Sequence, residues 1–224
     1  IQQEKQKRRS ELDVLQAQIN PHFLYNTLDS IIWSLRMRQV EESIEMLTAL
    51  TDFFKISLSK GRDIITIEEE VKHIKSYLSI QHRRYQEKFD YDIHVDPSIL
   101  SCRTPKLILQ PVVENAIYHG IKPMEEKGYI YIHIFPQEGD VILQVQDTGM
   151  GMDEDTCRRL NRELDTISSD QQGTGYGVRN VNDKIKIVYG SKYGVTIESA
   201  MGEGTVVTLR IGKKGETSDE SDYL

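Results

Sequence analysis

Four short stretches hold residue types whose spacing is suited to chemistry. Glu114-Asn115-Ala116-Ile117-Tyr118-His119-Gly120 closes an apolar run, and Asp147-Thr148-Gly149-Met150-Gly151 follows a strand-like one. Gly173-Thr174-Gly175-Tyr176-Gly177-Val178-Arg179-Asn180 leads into a helical pattern, and Gly202-Glu203-Gly204-Thr205 enters the last strand-like run. A carboxylate at a strand end, as at Asp147, can accept a hydrogen bond from the exocyclic amine of an adenine. The Asn115 carbonyl is a hard oxygen ligand suited to Mg²⁺, which keeps waters and phosphate oxygens as its other ligands. Gly149 and Gly151 let the backbone approach a base closely and take positive φ. Gly173, Gly175 and Gly177 precede a helix start, where free N–H groups and the dipole attract phosphates. Alone, each pattern is an ordinary turn. Val178 stands where a dinucleotide fingerprint needs its third glycine, and no Gly-Lys-Ser/Thr is present for a P-loop.

The elements that must carry these patterns follow from periodicity. Leu12, Leu15, Ile19, Phe23 and Ile31 recur at helical spacing, and Ile44, Leu47, Thr51, Phe54 and Leu58 alternate steps of three and four. With a sharp reversal near residues 38–42, residues 1–60 are predicted to form a helical hairpin whose stripes are too narrow for a core. Two such hairpins would make a four-helix bundle, so a homodimer is expected. Gly61 ends the hairpin, and Thr66-Ile67-Glu68-Glu69 is a capping box opening a helix with Ile67, Val71, Ile74, Leu78 and Tyr85 on one face. Alternation from Phe89 to Val95 predicts a strand, Leu107–Tyr118 a buried helix, and 129–135, 141–146, 195–199 and 205–211 further strands. A helix is predicted from Val178 to Tyr189. Residues 61–213 therefore read as an α+β domain with helices on one face of a mostly antiparallel sheet. The polar segment 152–172 reads as a mobile lid, and 214–224 as an acidic, disordered tail.

Together the four stretches resemble the N, G1, G2 and G3 boxes of the GHKL (Bergerat) ATP-binding fold of gyrase, Hsp90, MutL and histidine kinases. The segment Gln16-Ala17-Gln18-Ile19-Asn20-Pro21-His22-Phe23-Leu24-Tyr25-Asn26-Thr27-Leu28 resembles the phosphoacceptor signature of LytS/YesM-type sensor histidine kinases. The resemblance covers roughly residues 10–212. It implies ATP and Mg²⁺ as ligands, His22 as phosphoacceptor, and a response-regulator aspartate as the next acceptor. A neutral imidazole is a competent nucleophile near neutral pH. Pro21 is expected to kink the helix beside His22.

The resemblance carries further roles onto matching positions. Asn26, one turn after His22, would position the water that hydrolyses the regulator's phosphoaspartate. Glu114 joins His22 and Asn26 as a catalytic candidate. Asn115 is the Mg²⁺ ligand, and His119, Asp147, Gly149, Gly151, Gly173, Gly175, Gly177, Asn180 and Thr205 line the nucleotide. Two departures stand out. The position three beyond Asn115, often basic, is Tyr118, leaving Lys122, Lys127 or Arg179 to supply charge. The residue after His22, often an acid, is Phe23, leaving the base open among Asp29, Glu11, Asp13 and the phosphate itself. His73, His82, His94 and His133 read as packing or surface histidines.

Composition sets outer bounds. With 224 residues, 38% hydrophobic and 28% charged, the chain can bury one sizeable core or a small helical domain beside a compact one. A net charge of −7 argues against a nucleic-acid partner. Cys102 and Cys157 lie in no metal spacing and suit a reduced, cytoplasmic setting. No apolar run approaches the length of a membrane span. The chain is read as a fragment of a longer protein, the basic cluster Lys5, Lys7, Arg8 and Arg9 fitting a helix that descends from a membrane. The alternatives are a GHKL ATPase without histidine transfer and a nucleotide-switched dimeric scaffold. Pro111 stands where such ATPases carry their water-activating Glu, which disfavours the first.

Overall fold

The computed structural model describes residues 21–58, 62–85, 87–165 and 176–213. The segment Gln16–Asn20 with the expected kink, the basic cluster, Gly61, Gly173, Gly175, the second half of the lid segment and the acidic tail lie outside them. Backbone contacts divide the chain into two compact units. One takes the described residues up to Arg62 together with Lys72–Arg84; the other takes Asp63–Val71 and the described residues from Tyr85 on.

In the first unit, α1 (Pro21–Arg36) and α2 (Val40–Ser57) form an antiparallel pair joined at Arg38, whose φ is +61°. Residues 72–84 belong to α3 (Ile67–Arg84) and pack against this pair. Phe23, Thr27, Ile31 and Ser34 of α1 are buried, as are Ser43, Met46, Leu50, Phe53 and Ser57 of α2. Phe23 lies with its ring 5.0 Å from Phe53 and 5.3 Å from Tyr77, centroid to centroid, and His73 stacks on Phe53 at 4.6 Å. The inner stripe of α2 thus runs one residue ahead of the seam read from periodicity. Ser43 and Ser57 disguise it in the sequence, yet each hydroxyl donates to the carbonyl four residues back, at 2.9 Å, and so enters the core satisfied. The other seam faces outward: Ile44 is 58% and Leu47 44% exposed.

In the second unit a five-stranded sheet has the order β2-β4-β5-β7-β6, from β2 (Phe89–Val95), β4 (Gly128–Gln137), β5 (Asp140–Asp147), β6 (Gly194–Ala200) and β7 (Gly204–Gly212). Only β2 and β4 run parallel; the connection between them passes through β3 (Arg103–Pro105), which pairs with β1 (Ile64–Thr66), and through α4 (Leu109–Asn115). Ile130, Ile132 and Ile134 alternate with outward Tyr131 and His133, and together with Val141, Leu143, Val145, Leu209 and Ile211 they form the buried face. Leu109, Val112 and Val113 of α4, and Val178, Val181 and Ile185 of α6 (Tyr176–Tyr189), are among the buried helical residues of this core. The capping box forms as read: the Thr66 N–H donates to Glu69 Oε2 at 3.0 Å and the Glu69 N–H to Thr66 Oγ1 at 3.1 Å.

The segment read as a mobile lid is helical over much of its first half. Glu154–Asp165 is a helix, α5, with Cys157 and Leu164 buried. Two apolar residues seven apart are too few to show in a polar sequence. Asn161 ties α5 to the edge strand β6, donating to the Ile197 carbonyl at 2.8 Å and accepting its N–H at 3.0 Å, both free because β6 has no outer neighbour.

Candidate active site

Asp147 ends β5 between Ile130 of β4 and Thr205 of β7, so its side chain is buried while its backbone is paired on both sides. One carboxylate oxygen accepts the Gly149 N–H at 2.8 Å. Burial pushes its pKa up to about 6, against the pull of the Gly149 and Thr205 N–H groups. A group so placed is an acceptor with little water to satisfy it.

Two of the other three patterns, the stretch ending at Gly120 and the stretch Gly202–Thr205, close around this carboxylate. After Asn115 the helix widens into a π-turn, Ala116–Ile121, with the Lys122 N–H reaching the Ile117 carbonyl at 2.8 Å; the straight helix read through Tyr118 stops at Asn115. The turn sets Gly120 against the carboxylate, where a Cβ would come 2.7 Å from its oxygen. The Met150 N–H donates to the Gly120 carbonyl at 3.0 Å, and the Gly202 N–H to the Met150 carbonyl at 2.6 Å. A Cβ at Gly149 would lie 2.4 Å from the Gly120 backbone, and one at Gly204 (φ +95°) 2.0 Å from the Asp147 carbonyl oxygen. Each glycine is therefore required by the approach of another chain segment. Gly151, as expected, has positive φ (+65°), whereas Gly149 does not and is required by close approach alone. Ser199 closes the circuit. Its hydroxyl donates to the Gly204 carbonyl at 2.8 Å, accepts from the Thr205 hydroxyl at 2.9 Å, and accepts the Met152 N–H at 2.9 Å.

The remaining predicted residues stand less tightly bound. Asn115 is the last residue of α4 and half-buried. Glu114 accepts from Gln110 Nε2 at 2.9 Å, one turn back on the same helix. His119 is exposed, as is Asn180 on α6. Gly177 opens α6 against α4, since a Cβ there would sit 3.2 Å from Pro111 Cβ. Of the cations, Lys127 pairs with Asp90 at 2.7 Å, whereas Lys122 holds its ammonium 5.2 Å from the ring centroids of both Tyr118 and Tyr85. Among the described residues no group of three or more His, Cys, Asp or Glu side chains could hold a metal ion.

One positioning residue escaped the sequence reading. Glu70 is fully buried, and its carboxylate accepts the N–H groups of Leu107, Ile108 and Leu109 at 2.9, 2.8 and 2.8 Å. It caps α4, which has no side-chain cap of its own, and so sets the helix that carries Asn115. Burial raises its pKa, opposed by those three N–H groups and by Lys184. Next to a capping box, a third acid in the first turn reads as solvated, so nothing local marks it.

In the first unit His22 lies exposed on α1, and Asn26 brings its Nδ2 to 2.9 Å from His22 Nε2. Phe23 points the other way, into the core. His73 is a packing histidine: burial lowers its pKa to about 4, and Nε2 meets the Ser57 hydroxyl at 2.9 Å.

Comparison with known proteins bears on the family and the fold. The family profile described as "Histidine kinase" matches residues 10–89, and "Histidine kinase-, DNA gyrase B-, and HSP90-like ATPase" matches residues 103–215. Sensor histidine kinase YesM of Bacillus subtilis is 35% identical over 93% of this chain, and sensor protein LytS of Bacillus cereus 32% identical over 92%. The chain spans about a third of the length of these relatives, 34% of each. The catalytic domain of histidine kinase ThkA, at 20% identity and a TM-score of 0.50, covers 67% of this chain and 94% of that domain, and shares the fold. Among the described residues no helix is long and apolar enough to cross a membrane. An ATPase-type α/β unit, a histidine-bearing helical unit and both profile matches make this chain a member of the LytS/YesM-type histidine kinases, with a GHKL ATP-binding domain.

Proposed function

We propose that this chain binds Mg-ATP in its second unit, phosphorylates His22, and passes the phosphoryl group to an aspartate of a response regulator. The observation that carries the reading is the closure of Gly120, Asp147–Gly151 and Gly202–Thr205 on one buried carboxylate. The Asp147 carboxylate accepts the adenine amine, and Asn115 offers its carbonyl to Mg²⁺, which would neutralise charge on the β- and γ-phosphates. Lys122, presented over Tyr118 with no carboxylate partner among the described residues, supplies the positive charge that the motif lacks at position 118. With the γ-phosphate in line, the His22 Nε2 lone pair attacks; catalysis here is positioning and charge neutralisation. Asn26 beside it would hold the water for hydrolysis of the regulator's phosphoaspartate. The chain would work at the cytoplasmic face of a membrane, below a sensor region.

Incubation with γ-labelled ATP tests the reading. The expected product is protein-bound label that is lost in acid and kept in base, because the N–P bond of phosphohistidine is acid-labile. Phosphate release without protein label would favour a simple ATPase, and binding without either a nucleotide-switched scaffold.

The same reading includes a homodimer. Tyr25, Leu28, Ile32, Trp33 and Leu35 on α1 and Ile44 and Leu47 on α2 are 38% to 68% exposed, an apolar stripe unusual for a free helical hairpin. A second copy would cover it as a four-helix bundle. Sedimentation at micromolar concentration should give the dimer mass, and monomer would count against the assembly.

A further inference from the structure

We infer that Asn26 selects the tautomer of His22, donating its side-chain N–H to Nε2 and so holding the ring proton on Nδ1. This rests on His22 being the phosphoacceptor. The two side chains are four apart on α1 and meet on one helix face at 2.9 Å. A nitrogen that accepts a hydrogen bond carries a lone pair and no proton. The contact therefore keeps Nε2 in the nucleophilic form and puts the proton on Nδ1, for which no partner appears among the described residues.

The need for such a group follows from the fold. The residue after the acceptor is Phe23, and it packs against Phe53 and Tyr77. An acid there would be buried and unpaired, so the position after the acceptor cannot hold the Nδ1 proton. Orientation falls to the other ring nitrogen, through the residue one turn on. The bond balance is then complete. Asn26 swings off as the γ-phosphate arrives, the Nε2 lone pair forms the N–P bond, and the β,γ-bridging P–O bond breaks with its electrons leaving on ADP. The imidazolium so formed loses its Nδ1 proton to water. Asn26 is thus a positioning residue for the acceptor, protecting the reactive lone pair and aiming it.

Ring-¹⁵N-histidine labelling of the 224-residue chain reads the tautomer directly. Long-range ¹H–¹⁵N spectra at pH 8, with the His22 signal identified by its loss in His22→Gln, should show Nδ1 protonated and Nε2 bare. In Asn26→Ala the ring should shift toward the Nε2–H form, and autophosphorylation should slow roughly three- to tenfold, the worth of one hydrogen bond. Asn26→Asp should be slower still, because a carboxylate accepts and locks the proton on Nε2. A wild-type spectrum with the proton on Nε2 would overturn the inference. So would an Asn26→Ala variant that keeps the wild-type tautomer, whether its rate is unchanged or falls together with its melting temperature. The spectrum is taken on unphosphorylated protein, so it stands apart from the acceptor assignment: absence of acid-labile label in the wild type would remove His22 from the reaction without altering the tautomer.

Discussion

His22→Gln is expected to abolish acid-labile labelling while leaving nucleotide binding and folding untouched. The glutamine amide nitrogen has its lone pair delocalised into the carbonyl and cannot attack phosphorus. Removing a nucleophile costs on the order of 10⁴-fold or more in covalent catalysts, which here means no detectable label. The substitution is mild structurally, because His22 is exposed and Asn26 is its polar contact among the described residues. Surface changes of this kind alter stability by about 0.5 kcal/mol or less. Labelling, calorimetric ATP binding and a melting curve on one preparation check all three parts. Label that persists would move the acceptor to another histidine, with the exposed His119 and His133 first in line.

Asp147→Asn is expected to move affinity and stability in opposite directions. An amide oxygen can still face the adenine amine, but the charge that strengthens the bond is gone. Charge-assisted hydrogen bonds contribute about 1.5–3 kcal/mol, so ATP should bind roughly 10- to 100-fold more weakly at pH 8. The same charge is a burden on the free protein. The folded pKa, about 6, lies above the ordinary 3.8, so the folded state holds an extra proton between those values. Stability therefore falls as pH rises through that window, and the full penalty, about 3 kcal/mol, is present above pH 6. The Asn variant escapes it and should melt several degrees higher than wild type at pH 8, the gap closing toward pH 4. Wild-type ATP affinity should also weaken as pH drops through about 6, as the carboxyl gains its proton, whereas the variant should lack this dependence. Unchanged ATP affinity at pH 8 would remove Asp147 from the nucleotide site.

Much of this architecture is written in local pattern. Alternation marks Phe89–Val95 to the residue, because Phe89, Tyr91, Ile93 and Val95 fall on one side of an extended chain and polar residues on the other. The capping box at Thr66 and Glu69 announces α3 because each partner lies within reach three residues away. The four glycine-bearing stretches are legible because a motif's residue types and order survive without coordinates. The inner stripe of α2 is not, since Ser43 and Ser57 look like surface until their hydroxyls are seen on the carbonyls four residues back. Helix α5 is hidden likewise, its main anchor being an asparagine side chain on the edge of β6.

Sequence by itself determined the types of most elements, the nucleotide-type motifs and the histidine with its amide one turn on, all of them properties of residues near one another in the chain. Only the tertiary structure decided why those residues work together. It put Glu70 on three N–H groups some 37–39 residues away, and turned the helix after Asn115 so that Gly120 meets Asp147. It also raised the Asp147 pKa by burying a carboxylate between two strands, and sent Phe23 into the core so that Asn26 alone faces the His22 ring among the described residues. Periodicity reports which side of an element is apolar. Burial, pKa and close backbone approach depend on what lies across from it, and that is set by segments distant in sequence.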